Sequence, residues 1–225
     1  VCGRYTLTTP VDDLLEIFDL PQVSFEHRPR YNIAPTQDAP VLARDGEGRK
    51  MGLLRWGLVP FWADDPTIGN RLINARSETA HEKPAFRRAF RRRRCLVPAD
   101  GFYEWRAEGD GKRPYWIHRP DRAPFTMAGL WEGWEPRDEE PLHTFTILTR
   151  EATEELAALH PRMPVVLSRE GGEAWIEPGR EVEALRRILR DGRETEFQWH
   201  PVSTRVNVPE NDLPGCIEPL EGGEA

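Results

Sequence analysis

No stretch of this chain stays apolar for the roughly 18 residues that a membrane-crossing helix needs, so a spanning helix is excluded and no membrane partner is expected. The amino-terminal end lacks the basic-then-apolar order of a secretory leader. Cysteine is scarce: Cys2, Cys95 and Cys216 stand singly and far apart. That spacing excludes a CxxC zinc site and argues against a disulfide framework, so a reducing cytoplasm is the expected setting. Lysine is nearly missing, since only Lys50, Lys83 and Lys112 occur among 31 basic residues. Arginine's planar fork suits phosphate, although so lopsided a ratio also follows from genome composition. There is no internal repeat, no low-complexity domain and no clear linker. The chain is written from Val1, where an initiator methionine is expected.

What is present fits one domain of generous size. The 225 residues are 38% hydrophobic and include eight tryptophans, enough for a real core. The net charge of −7 hides an asymmetry. Through Trp105 there are 16 Lys+Arg against 14 Asp+Glu, a balance of +2, and from Arg106 onward 15 against 24, or −9. The first half can therefore face a polyanion while the second favours solubility.

Thr9-Pro10 ahead of Val11, Leu14, Leu15 and Phe18 predicts a short amphipathic helix, with Thr9 as N-cap, Asp12 and Asp13 at the positive end and Pro21 as the stop. Residues 28–36 read as a proline-bounded loop of extended character. Ala39 to Ala43 and Met51 to Val59 read as strands joined by the turn Asp45-Gly46-Glu47-Gly48. Pro60 to Asn70 reads as loop, and Arg71 to Arg76 as a short strand or turn. A helix is expected over Pro84 to about Arg92, with Phe86 and Phe90 one turn apart. The run Arg91-Arg92-Arg93-Arg94 ends it, either as a solvated cationic end or as a phosphate contact. Further strands are expected at Tyr115 to His118, Phe125 to Trp131, His143 to Thr149 and Val165 to Leu167. Thr149 reads as the cap of a helix from Arg150 to about Leu159, closed by Pro161. Val182, Leu185, Ile188 and Leu189 mark another amphipathic helix. Short strands with scattered helices point to a single α+β domain, followed by a disordered tail over 220–225.

Cys2 carries the most distinctive chemistry. As an internal residue it is an ordinary buried thiol. As the first residue of a mature chain it offers a thiol and a free α-amine to one aldehyde. That state requires Val1 to be gone, for example through a non-standard start codon read as methionine and then clipped. The amine, with a reference pKa of about 7.7–8.0, forms an imine, and the thiol, at about 8.5, closes a five-membered thiazolidine. Closure is intramolecular, so its effective molarity is high. No cofactor or metal is called for.

Helpers for that reaction are present. Glu104, between Tyr103 and Trp105, reads either as a peripheral strand glutamate or as an acid/base whose charged form is disfavoured by its neighbours. His160 reads as a helix-end polar residue or as an acid/base, and Asn74 as a turn residue or as a group orienting an oxygen. Arg4 and Arg76 can clamp a phosphate. Trp56, Phe61 and Trp62 can stack on bases, or belong to the core.

Taken together, Cys2-Gly3-Arg4-Tyr5, residues 31–36 (YNIAPT), residues 55–62 (RWGLVPFW), Asn74-Ala75-Arg76-Ser77-Glu78, residues 95–105 (CLVPADGFYEW) and His160-Pro161-Arg162-Met163-Pro164 resemble the SOS response-associated peptidase (SRAP) family. The resemblance runs from Cys2 to about Cys216, within an expected domain of residues 2–219. It implies a compact fold of curved, barrel-like antiparallel sheets with short helices around them. It implies covalent capture of abasic sites in single-stranded DNA through a thiazolidine at Cys2, and self-removal of whatever precedes that cysteine. Matched by motif, Cys2 is the nucleophile, Asn74 positions the reacting groups, and Glu104 and His160 manage protons. Arg4, Asn32 and Arg76 hold the DNA backbone, Trp56, Phe61 and Trp62 pack on bases, and Arg162 is counted with the DNA-binding residues. A monomer associated with the nucleoid when bound to damaged DNA is the expected state. Besides a general peptidase, for which no oxyanion site is legible, two other readings stay open. One is a non-covalent reader of modified or single-stranded DNA. The other is an N-terminal-nucleophile amidohydrolase, supported by the Cys-Gly pair alone.

Overall fold

The computed structural model describes residues 2–45, 48–109, 111–136, 140–192 and 196–220. Runs rich in β-branched and aromatic residues between glycine and proline turns make strands the commonest regular element among the described residues. In chain order these are β1 (Tyr5–Leu7), β2 (Arg30–Ile33), β3 (Asp38–Asp45), β4 (Gly48–Trp56), β5 (Asn74–Arg76), β6 (Arg94–Ala99) and β7 (Gly101–Glu108). They continue with β8 (Gly111–His118), β9 (Phe125–Trp134), β10 (Leu142–Glu151), β11 (Arg162–Pro164), β12 (Val166–Leu167) and β13 (Gln198–Pro201). The α-helices are α1 (Val11–Phe18), α2 (Arg87–Arg92), α3 (Arg169–Ile176) and α4 (Val182–Asp191). Among the described residues no helix is long and apolar enough to cross a membrane.

One sheet closes on itself. β4, β3, β6 and β9 pair antiparallel in that order. β10 then joins the two ends, antiparallel to β9 and parallel to β4. These five strands form a barrel, which removes the edges that an open sheet would leave unpaired. Beyond its contact with β4, β10 runs parallel to β5, with Asn74 opposite Ile147, and its far end pairs antiparallel with β11. The second sheet is antiparallel, in the order β13-β8-β7-β1-β2. The expected α+β class of curved, barrel-like sheets with short helices holds, with the two parallel pairings of β10 as the departure. One hydrophobic core joins both sheets: Tyr5, Leu7 and Phe102 from the second pack in the same cluster as Val97, Met127 and Phe145 from the barrel.

Several elements differ from their sequence reading. The helix expected over Arg150 to Leu159 is mostly absent: β10 continues to Glu151, paired with β11 through Arg150↔Met163 and Glu151↔Arg162, and only Leu156–Ala158 makes a 3-10 turn. The Thr149 hydroxyl donates to the Ala75 carbonyl (3.5 Å) instead of capping a helix. Sheet hydrogen bonds along β10 outweigh a local helical pattern that has little apolar face to bury. Thr9 does not cap α1 either, because its N–H and hydroxyl both go to Asp100. Asp19, in the left-handed region (φ 50), ends α1 before Pro21 is reached. The proline-bounded loop contains β2, and the expected loop after Pro60 contains a 3-10 segment, Pro66–Arg71. The β3–β4 hairpin forms as expected, its Gly46 and Glu47 lying outside the described residues. In the expected tail, Leu220 donates its N–H to the Pro201 carbonyl (3.1 Å), and 221–225 lie outside the described residues.

Arg94 fits neither reading of the arginine run. It is buried, and its guanidinium donates to the carbonyls of Trp175 (2.7 Å), Phe90 (3.2 Å), Arg91 (2.6 Å) and Glu177 (2.6 Å). It thereby satisfies carbonyls at the ends of α2 and α3 that those helices leave without an internal partner.

Candidate active site

Strand register places Cys2. β1 pairs with β7 through Tyr5↔Phe102 and Thr6↔Gly101, and Tyr103 N–H donates to the Arg4 carbonyl (3.0 Å). Carried on by the same antiparallel step, this register sets Glu104 opposite Gly3, one residue from Cys2, and the Cys2 backbone nitrogen donates to Glu104 Oε1 at 2.7 Å. From the other side β5 contributes Asn74, whose Nδ2 donates to the Cys2 carbonyl at 3.2 Å. Cys2 is thus held between two strands that are far apart in sequence, with its thiol fully buried.

The surroundings set the protonation states. Burial pushes the Cys2 thiol well above its ordinary value, and the neighbouring Glu104 charge adds to this, so the sulfur rests as a thiol. Burial also raises Glu104 above the usual carboxylate range, while His160 nearby and the hydrogen bond from Cys2 N–H pull in the opposite direction. A carboxyl with a raised pKa is suited to giving up a proton near neutral pH. His160 Nδ1 lies 3.0 Å from Arg162 N and 3.1 Å from Arg162 O. Nδ1 thus rests on the Arg162 backbone, which leaves Nε2 as the ring nitrogen away from that contact. Glu104 and His160 face one open cleft of ≈ 550 Å³, lined also by Arg4, Trp105, Lys112 and Asn207.

Arg4, two residues from Cys2, lines that cleft and donates to Asn32 Oδ1 (3.2 Å), to the Asn207 carbonyl (3.2 Å) and to the Val206 carbonyl. Arg76 is exposed at the end of the strand that carries Asn74. Phe61 and Trp62 stand about half exposed, at 49% and 48%, with the Arg88 guanidinium 4.0 Å from the centre of the Phe61 ring. Those two rings can meet a base.

Three expected DNA contacts are placed otherwise. Trp56 is a core residue, edge-on to Tyr5 at 5.2 Å and stacked on Phe145 at 6.2 Å, with its indole N–H on the Ile73 carbonyl (2.9 Å). Asn32 is fully buried, and its amide donates to the carbonyls of Val206 (3.1 Å), Val208 (3.1 Å) and Asn211 (3.0 Å). It holds the C-terminal wall of the cleft and presents no surface to DNA. Arg162 forms a two-pronged pair with Glu78 (2.8 and 2.9 Å) and donates to the Thr149 carbonyl (2.7 Å), which fixes the backbone against which His160 rests.

Sequence reasoning missed Trp105, Lys112 and Asn207 as cleft residues. Trp105 donates its indole N–H to Asn207 Oδ1 (2.8 Å), and Lys112 stands opposite Ala107 in the β7–β8 hairpin. Nothing local marks Asn207, because its place depends on Arg4 donating to its carbonyl and on Asn32 holding Val206 and Val208 on either side of it. For Trp105 the signal was its adjacency to Glu104. Among the described residues no group of three or more His, Cys, Asp or Glu is arranged to hold a metal ion.

The family profile described as SOS response associated peptidase (SRAP) matches residues 1–209. The chain is 40% identical over 222 residues to the abasic site processing protein YoqW of Bacillus subtilis, covering 97% of this chain and 99% of that protein. It is 36% identical over 233 residues to the abasic site processing protein HMCES of Gallus gallus, covering 88% of this chain and 68% of the relative. A solved structure of a Bacteroides thetaiotaomicron protein superposes with a TM-score of 0.86 at 24% identity, covering 97% of this chain and 100% of that one, which speaks to the fold alone.

Proposed function

The chain belongs to the SOS response associated peptidase (SRAP) family, and from that membership and the geometry around Cys2 we propose that it captures abasic sites in single-stranded DNA as a covalent crosslink through Cys2. The observation that carries this reading is the 2.7 Å contact between the Cys2 nitrogen and the buried Glu104 carboxyl. In the chain as written that nitrogen belongs to the Val1–Cys2 peptide. Once the bond is hydrolysed, the same nitrogen is the α-amine, already beside an acid/base. Its departure as an amine requires a proton, which Glu104 is placed to give, so one carboxyl serves both self-processing and capture.

Capture then proceeds in two steps. The Cys2 amine adds to C1′ of the ring-opened deoxyribose to give a carbinolamine, which loses water to the imine as Glu104 protonates the departing hydroxyl. The Cys2 sulfur adds to the imine carbon, its proton passing to nitrogen, and the thiazolidine holds C1′ by one C–N and one C–S bond. The net loss is one water. A buried, protonated thiol reacts second, because it becomes nucleophilic only as its proton is transferred. His160, facing the same cleft, assists opening of the sugar to its aldehyde, and Asn74 holds the Cys2 carbonyl and with it the direction of the amine. Arg4 and Arg76 draw the phosphates, and Phe61 and Trp62 pack on flanking bases. The protein acts as a monomer in the cytoplasm, on the nucleoid after DNA damage.

A denaturing gel of purified protein with a single-stranded oligonucleotide bearing one abasic site tests this, run beside Cys2→Ala and an undamaged strand. A band that survives heat and denaturant is expected only for wild type on the damaged strand, with an intact mass showing Val1 removed. Absence of that band from protein that begins at Cys2 would sink the crosslinking chemistry and leave a non-covalent DNA reader.

A further inference from the structure

The strand that follows Cys2 is short. β1 has three residues and shares only two register pairs with β7, and its pairing with β2 is irregular between Tyr5 and Leu7. Such a ladder is weak on its own, yet Cys2 must meet Glu104 within a hydrogen bond. A buried carboxylate supplies the missing hold. Asp100, 5% exposed, lies between β6 and β7. Its Oδ1 accepts the Thr6 hydroxyl at 2.5 Å. Its Oδ2 accepts from the Thr8 N–H, the Thr8 hydroxyl (2.8 Å), the Thr9 N–H (3.0 Å) and the Thr9 hydroxyl (3.2 Å). The Asp100 N–H closes the arrangement on the Thr6 carbonyl (3.0 Å).

Asp100 and Glu104 stand four residues apart on one continuous stretch of chain. Across the antiparallel register the first grips Thr6 to Thr9 and the second grips Cys2. We propose that Asp100 is a positioning residue for the nucleophile: it locks the sliding position of the terminal strand so that the Cys2 nitrogen stays on Glu104 while the free amine reacts. This rests on the capture reading above. Removal of Val1 adds to the demand, because a chain that begins at Cys2 has nothing upstream to anchor it. Charge-assisted hydrogen bonds from three threonines are stronger than neutral ones and fix geometry without blocking the cleft.

The test separates rate from binding. Single-turnover crosslinking to an abasic oligonucleotide is measured beside non-covalent affinity for the same strand carrying a tetrahydrofuran abasic analogue, which has no aldehyde. Asp100→Ala is expected to slow crosslinking by at least about tenfold while affinity stays within about twofold. Asp100→Asn keeps an acceptor and restores part of the rate, and Thr8→Ala/Thr9→Ala, which keeps both backbone donors, falls between Asp100→Ala and wild type. A purely structural role would lower rate and affinity by the same factor, and that result overturns the proposal, as does an unchanged rate. If Asp100→Ala does not fold, the Asn variant and the threonine double variant decide by the same comparison. Wild type that binds the analogue yet never captures the aldehyde would overturn the capture reading and the clamp with it. Wild type and Asp100→Ala capturing equally well would overturn the clamp alone.

Discussion

Glu104 sits where folding and chemistry pull apart. Burial lifts its pKa, so keeping it ionised at neutral pH works against the fold. A carboxyl whose folded pKa is above its unfolded one contributes fully below the unfolded value, about 4.3, and that contribution is lost as pH rises through the folded value. Glu104→Gln removes the penalty and keeps an oxygen for the Cys2 nitrogen. The variant is expected to match wild type in thermal midpoint at pH 4 and exceed it at pH 8. Its crosslinking rate falls by roughly 10²- to 10⁴-fold, the usual contribution of a general acid/base. Wild-type rate against pH should be bell-shaped, the acid limb set by the Cys2 amine and the alkaline limb by Glu104. Glu104→Gln should lose the alkaline limb, as rates read from quenched gels across that range will check. A thermal midpoint for Glu104→Gln that falls below wild type at pH 8 would refute the burial argument.

At the scale of elements, the turn from β6 into β7 decides how β1 seats. A Cβ on Gly101 would lie 2.1 Å from Trp116 Nε1, and that indole donates to the Thr6 hydroxyl (3.2 Å). Gly101→Ala must therefore push Trp116 away from β1, and is expected to cost about 1–3 kcal/mol in stability by chemical denaturation. The same displacement loosens the strand that delivers Cys2, so crosslinking should slow in protein that remains folded. Gly57 and Gly69 form a comparable close approach: a Cβ on Gly57 (φ +127) would meet the Gly69 carbonyl at 2.6 Å. This crossing fixes the chain as it leaves Trp56 toward Phe61 and Trp62. Element by element, residues with a strong local signal formed as read, such as Val182–Asp191 and the β3–β4 hairpin. Arg150 and Glu151 did not, because strand pairing with β11 is a distant partner that no local pattern reports.

For the whole molecule, a net charge of −7 must coexist with a polyanionic substrate. Exposed cations such as Arg76, at the end of the strand that carries Asn74, are the ones placed to meet phosphates. For single strands, each phosphate neutralised adds a slope of about −0.7 in log affinity against log salt. Arg76→Ala is expected to lower that slope by about 0.7 for the tetrahydrofuran strand. Arg94→Met should leave the slope unchanged, since its guanidinium is spent on four backbone carbonyls. It should instead destabilise the fold by roughly 2–4 kcal/mol, because those carbonyls lose a charged donor. Salt titrations and urea unfolding of the two variants separate the roles.

The sequence by itself singled out Cys2, Asn74, Glu104 and His160 as candidates, from motifs whose residue types suit imine and thiazolidine chemistry, and the fold sets Asn74 and Glu104 within hydrogen-bond distance of Cys2. It also determined the α+β class, because alternation, helical periodicity and turn residues are written locally. Only the tertiary structure decided which aromatic residues are free, sending Trp56 inward onto Tyr5 and Phe145 while leaving Phe61 and Trp62 at the surface. It alone turned Asn32 and Arg162 into struts and brought Asn207 to the cleft. Burial and long-range hydrogen bonding depend on what the rest of the chain places opposite a residue, and that information is not carried by the residue's neighbours in sequence.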